Sequence, residues 1–353
     1  MLTSLNIQNF RCFSDVTVES LKHINLIVGR NNVGKTTFLE AVFLLSGGYN
    51  PRLPMIINGL RGIQSVEGRA DVLWGRLFRE SYFDQPIKIK AVDEKGRVLS
   101  LQISIKEATE TKYQPADGKD VNAGSDLSTA ENESELVLEY NDGSGRINTS
   151  RAVITPQGID LLQERAVSHP TAIFVSTRMQ FNREDAHRFS ALAKKGQEGV
   201  IGDALKLLEP RLKRIVLLME GDQPVLYGDI GLPELLPLPL MGEGMVRLLT
   251  ILVDIAFVEG GKIFIDEIDI GFHHSIVKDV WQIIGSLARE FNVQVFATTH
   301  NLECVKAAHE AFAQDDADPF RLHRLEWCQN AVRARTYEPD TLATALSAEL
   351  EVR

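Results

Sequence analysis

The stretch Ile24-Asn25-Leu26-Ile27-Val28-Gly29-Arg30-Asn31-Asn32-Val33-Gly34-Lys35-Thr36-Thr37-Phe38-Leu39 decides how this chain is read. Its first five residues form an apolar strand segment and its last residues open an apolar helix. Between them, Gly29 to Thr36 fits the pattern G-x-x-x-x-G-K-[ST] in the strand-to-helix setting that the pattern requires. Glycines let backbone N–H groups turn inward around the β- and γ-phosphates of a nucleotide, and the helix start adds partial positive charge. Lys35 is expected to reach phosphate oxygens and Thr36 to offer a hydroxyl to Mg²⁺, with Arg30, Asn31, Asn32, Val33 and Thr37 completing the cradle. The helix is expected over Thr36 to Leu45. Its near-continuous apolar run from Phe38 to Leu45 implies burial on most sides against a sheet, and Gly47-Gly48 ends it.

A triphosphate site of this kind needs a second half, an apolar strand ending in acid. Ile263-Phe264-Ile265-Asp266-Glu267 supplies it. Asp266 is placed to hold Mg²⁺ and Glu267 to accept a proton from an attacking water. A later strand, Val295-Phe296-Ala297-Thr298-Thr299, delivers His300 at the carboxyl edge of the same sheet, where ligands bind in open α/β folds. Gly242-Glu243-Gly244, just ahead of a helix beginning at Met245, forms a further anion site of backbone N–H groups, one that would serve a neighbouring molecule's nucleotide.

Farther out, Leu2 to Ile7 and Asp15 to Glu19 alternate as strands. β-like alternation returns from Ile87 to Ile105 and from Leu136 to Ile154, as an antiparallel insertion. Between these runs, residues 106–135 carry eight carboxylates against three lysines, a net of −5, with no apolar periodicity; this reads as a solvated, flexible acidic loop. Asn182 to Leu212 is helical in composition. Strands follow at Ile215 to Met219 and Pro224 to Tyr227, then a proline-rich connector, Pro233 to Pro239. The helix Met245 to Val258, the strand Lys262 to Ile265, the helix Ile276 to Glu290 and the strand Gln294 to Thr298 make a parallel α/β core. A hairpin, Arg321 to Glu326 with Val332 to Tyr337, and a helix from Thr341 close the chain. We divide it into an N-terminal lobe, 1–175, a helical and signature lobe, 176–245, and a C-terminal lobe, 246–353.

The chain's 353 residues, 44% hydrophobic and 24% charged, have ordinary globular composition. The absence of a long apolar stretch or a basic-then-apolar start points to a cytoplasmic protein without membrane contact. Cys12, Cys304 and Cys328 are scattered, show no metal-ligand spacing and read as reduced. A net charge of −10 argues against a surface that is basic all round.

Taken in order, Ile7-Gln8-Asn9-Phe10-Arg11-Cys12-Phe13, the Gly29–Thr37 loop, Leu240-Met241-Gly242-Glu243-Gly244, the stretch Ile265 to His274 and Ala297-Thr298-Thr299-His300-Asn301 resemble the SMC/RecF/OLD-like branch of ABC ATPases. The resemblance implies an α/β P-loop fold with a mixed central sheet, an antiparallel β insertion and a helical lobe. It also implies a head-to-tail homodimer with two Mg-ATP sandwiched between one chain's phosphate loop and the other's signature turn. Under it, Glu267 is the catalytic base, His300 the switch histidine, Asp269 a residue of the stretch crossing the dimer interface, Arg11 a residue near the nucleotide, and Gln180 the magnesium-sensing glutamine. Two departures stand out. Gly242 replaces the usual signature serine, and Ile268 stands where many relatives have proline. With no heptad repeat, no coiled-coil arm is expected, and with roughly fifty residues after His300 the Toprim nuclease domain of OLD-type relatives is not expected here.

Three readings follow. The first is an ATPase, slow in turnover, whose dimer closure controls a separate effector, such as a Toprim-like nuclease in bacterial antiphage defence or genome maintenance. The second is a RecF-like, ATP-switched clamp on DNA, and the third, ranked last, a transporter's nucleotide-binding subunit.

Overall fold

Apolar alternation makes β1 (Leu2–Phe10) and β2 (Phe13–Val18) an antiparallel pair that turns at Arg11-Cys12. In this computed structural model, residues 1–63, 70–107, 134–155, 158–163, 172–177, 183–313, 315, 317 and 319–353 are described. The acidic segment lies almost wholly outside them. β3 (Ile24–Val28), buried at every residue, runs into the phosphate loop and α1 (Lys35–Ser46). Two elements not expected from the pattern come next, α2 (Leu53–Leu60), with Pro54 in its first turn, and the short α3 (Ala70–Leu73). Then come β4 (Ile87–Asp93), β5 (Val98–Glu107), β6 (Ser134–Asn141), β7 (Ile147–Thr155), β8 (Gly158–Gln163) and β9 (Ala172–Val175).

Next come α4 (Arg183–Lys194) and α5 (Glu198–Leu205), followed by β10 (Arg214–Glu220), β11 (Gln223–Asp229) and β12 (Leu236–Pro237). The rest is α6 (Glu243–Phe257), β13 (Lys262–Ile265), α7 (Val277–Glu290), β14 (Gln294–Thr298), α8 (Leu302–Phe312), β15 (Phe320–Cys328), β16 (Ala331–Tyr337) and α9 (Pro339–Ser347). Helix α6 starts at Glu243, two residues before the expected Met245, so Gly244 sits inside its first turn.

Among the described residues the strands form two large sheets. The antiparallel one runs β2-β1-β4-β5-β6-β7-β8, so the β insertion is continuous with the N-terminal pair. The mixed one runs β16-β15-β3-β14-β13-β9, with β16 antiparallel at one edge and the other neighbours parallel. Strand β9 was not legible in the sequence; four residues carry too little pattern.

Helix α1 is wedged between these sheets. Eleven of its twelve residues are buried, which contact with a single sheet would not produce. Beneath it runs an aromatic ladder set by strand register, with Phe174 stacked on Phe264 at 6.3 Å and Phe264 on Phe296 at 5.5 Å. Phe43 of α1 meets Phe174 and Phe264 edge-on, both at 5.7 Å. On the opposite face α6, α7 and α8 cover Ile24, Leu26, Val28, Ile263, Ile265, Val295 and Ala297. This alternation along the central strands seals both faces and leaves the carboxyl edge to the loops.

Candidate active site

The phosphate loop is held from several directions. Gly29 has φ 145°, and a Cβ there would lie 2.4 Å from the Leu325 carbonyl oxygen of β15. Gly34 has φ 105°, and a Cβ there would come within 2.7 Å of Cys12 Sγ and the Phe13 ring. Both glycines are therefore required by packing as well as by any phosphate. Val33 is 1% exposed and pins the loop from below, while Arg30 points outward. Lys35 is buried, and its Nζ donates to the carbonyls of Gly29 at 3.0 Å and Arg30 at 3.4 Å. Desolvation lowers its pKa, opposed by the carboxylates of Glu267 and Asp266.

The sheet order β3-β14-β13 puts the ends of three strands side by side. The Thr36 hydroxyl lies 3.2 and 3.1 Å from the two Asp266 carboxylate oxygens and donates to them. Thr298, at the end of β14, donates to Asp266 Oδ1 at 2.7 Å and accepts from the Glu267 N–H at 2.8 Å. One hydroxyl thus fixes both acids. Glu267 has φ 50°, an uncommon left-handed conformation that this contact helps to hold. Its Oε2 is 2.5 Å from His300 Nδ1. Arg247 of α6, 4% exposed, donates to the main-chain carbonyls of Asp266 at 2.9 Å and Glu267 at 2.7 Å. No role was assigned to Thr298, although it lies in the Ala297–Asn301 stretch, and Arg247 was not expected at the site because an arginine in a helix carries no motif of its own.

Above the loop lies a cavity of about 580 Å³ lined by Arg11, Cys12, Asn31, Asn32, Gly34, Lys35, Thr36, Thr37, Arg61, Arg76 and Glu267. Arg11 comes from the β1–β2 turn, as expected. Arg61 and Arg76 are additions from the end of α2 and the turn after α3; no spacing rule points to either. A cavity with a buried ammonium and three guanidiniums suits a polyanion. The paired oxygens of Thr36 and Asp266 are the hard ligands that Mg²⁺ takes.

Other expected residues are not gathered here. Gly242, Glu243 and Gly244 are absent from the cavity wall. Gly242 caps α6 with φ 114° and ψ 155°. A Cβ on Gly244 would lie 2.5 Å from the Gly271 carbonyl oxygen, so the turn sits tight on the loop after Glu267. Asp269 in that loop accepts from the Thr299 hydroxyl at 2.6 Å. Gln180 lies outside the described residues. Among the described residues no helix is long and apolar enough to cross a membrane.

A protein-family model described as AAA domain matches residues 4–213. A second AAA-domain model, which also carries the names AbiEii toxin and type IV TA system, matches residues 202–305. An ATP/GTP phosphatase of Helicobacter pylori is 22% identical over 97% of both chains. The DNA replication and repair protein RecF of Nitrosococcus oceani is 36% identical over 72 residues, 20% of each chain. The solved SMC head bound to the C-winged helix domain of ScpA superposes with a TM-score of 0.50 at 12% identity, covering 98% of this chain and 99% of that one, a likeness of fold alone.

Proposed function

Because this chain belongs to the AAA-domain family, as an ATPase of the SMC/RecF-like ABC type, we propose that two copies close head to tail around Mg-ATP and that closure controls a separate effector. The observation that carries this reading is the position of Gly242–Gly244. The turn's backbone N–H groups stand at the start of α6, yet none of its residues lines the chain's own cavity. A second copy's triphosphate is the partner we assign to them. The effector is a separately encoded protein, such as a Toprim-like nuclease in bacterial antiphage defence or genome maintenance.

In this reading Lys35 and the loop N–H groups hold the β- and γ-phosphates. Thr36 and Asp266 would hold Mg²⁺, which when bound neutralises phosphate charge. Glu267 takes a proton from a water as that water's oxygen attacks the γ-phosphorus; the bond to the β–γ bridging oxygen breaks, and ADP and phosphate leave. His300, hydrogen-bonded to Glu267, holds the carboxylate in place and senses the γ-phosphate. Thr298 and Arg247 fix the acids' backbone. We keep residues 1–175, 176–245 and 246–353 as the working lobes of this cycle.

Size measurement of Glu267→Gln with and without Mg-ATP tests the proposal. ATP-dependent dimers are expected; a chain that binds ATP and stays monomeric sinks it. The similarity to RecF favours a second reading, an ATP-switched DNA clamp. Its test is a duplex DNA titration with and without ATP at two salt concentrations, because a phosphate-binding clamp weakens as salt rises.

A further inference from the structure

We propose that Glu40 is a positioning residue for nucleotide binding, its single carboxylate aiming the guanidiniums of Arg11 and Arg61 into the phosphate cavity. The proposal rests on the reading of that cavity as a triphosphate site. Glu40 lies on α1, five residues after Lys35, and is 1% exposed. A carboxylate so buried is costly unless it is paired and hydrogen-bonded. Its Oε1 accepts from Arg61 Nε at 2.6 Å and its Oε2 from Arg61 Nη2 at 3.0 Å, a bidentate grip on one edge of the guanidinium. The same Oε2 lies 3.0 Å from Arg11 Nε.

The surrounding contacts hold this array in one geometry. Arg61 Nη2 also reaches the Thr37 hydroxyl at 3.1 Å, one residue past the phosphate loop. Arg11 Nη2 donates to Asn58 Oδ1 at 3.1 Å, and Asn58 Nδ2 donates to the Leu73 carbonyl at 2.9 Å. Three separate segments, the β1–β2 turn, α1 and the end of α2, therefore meet at one carboxylate. Both arginines line the cavity beside Lys35. Without the shared anion, two guanidiniums this close would repel each other and swing apart.

The sign of the effect separates positioning from plain electrostatics. A negative charge near the cavity by itself repels a triphosphate, so neutralising it would tighten binding. If the carboxylate aims two arginines, neutralising it weakens binding. Glu40→Gln keeps one acceptor oxygen and turns an amide NH₂ toward guanidinium N–H donors, so one arginine loses its hold.

The experiment is calorimetric titration of the full chain with Mg-ATP for wild type, Glu40→Gln, Arg61→Ala and the double variant, with thermal melts of the nucleotide-free proteins. Glu40→Gln is expected to bind roughly tenfold more weakly, the scale of one lost charge-assisted contact. The double variant is expected to lose less affinity than the product of the two single losses, because part of the effect of Glu40 passes through Arg61 and the rest through Arg11. A folded Glu40→Gln that binds as tightly as wild type or tighter overturns the proposal, as do losses that simply multiply in the double variant. Should Glu40→Gln not fold, Glu40→Asp keeps the charge and withdraws the carboxylate by one methylene. Weaker binding is expected there, and unchanged affinity is the overturning result. Failure of wild type to bind Mg-ATP is distinct, since it removes the triphosphate reading, and this proposal with it, before any variant is made.

Discussion

The phosphate loop and the Gly242–Gly244 turn both set glycines ahead of a helix, but their surroundings differ sharply. In the loop, Gly29 and Gly34 are pressed by Leu325, Cys12 and Phe13, and Lys35 is buried among carbonyls and carboxylates. At the turn, a Cβ on Gly242 would meet nothing within 4 Å, and only Gly244 is crowded, by Gly271. The loop's shape is held by contacts with Leu325, Cys12 and Phe13. Gly242 is glycine for another reason: φ 114° with ψ 155° is a region that side chains rarely enter. A serine there would be strained.

Four variants break or sharpen this contrast. Glu267→Gln should lower steady-state phosphate release by roughly 10²- to 10⁴-fold, the range for losing a general base, with the ATP dissociation constant little changed. Unaltered turnover would move the base elsewhere. Lys35→Ala should weaken Mg-ATP binding by roughly a hundredfold, read as lost heat of association, since a buried ammonium has no substitute in the cradle. Retained heat would mean that the loop is not the binding site.

Arg247→Ala addresses the link between the two regions. It leaves the carbonyls of Asp266 and Glu267 without this donor, so stability should fall by about 1–3 kcal/mol and turnover by about tenfold. A drop in melting temperature with full activity would reduce Arg247 to a structural residue. The smallest effect on the nucleotide belongs to Gly242→Ser. Backbone strain of about 1–3 kcal/mol should lower its melting temperature, while single-chain Mg-ATP affinity stays within about twofold of wild type. A large affinity loss would show that the turn serves its own chain's cavity.

Much of the fold was legible wherever pattern and motif coincide. Val28 to Thr36 announces strand, loop and helix, and Ile263 to Glu267 announces a buried strand ending in acid. Strands β4 to β7 of the insertion and β3, β13 and β14 of the parallel core were legible from alternation and apolar runs, while β8, beyond the expected limit at Ile154, was not. Less legible were α2, with a proline in its first turn, the four-residue β9, and α8 after His300. Helix α1 was expected against one sheet and lies between two, because its all-round apolar character records burial without saying what does the burying. Arg61, Arg76 and Arg247 carry no pattern for a common reason: each is an ordinary polar residue until the fold places it.

By itself the sequence determined the local pieces and their chemistry, a glycine-lined loop with Lys35 and Thr36, a strand ending in Asp266 and Glu267, and a strand delivering His300. These depend on contacts within a few residues, which periodicity and turn chemistry record. The tertiary structure alone decided that β14 lies between β3 and β13, bringing Thr36 to Asp266 across 230 residues and seating Glu40 between two arginines. Such neighbours are chosen by which faces bury together and in what register, and no window along the chain holds that information.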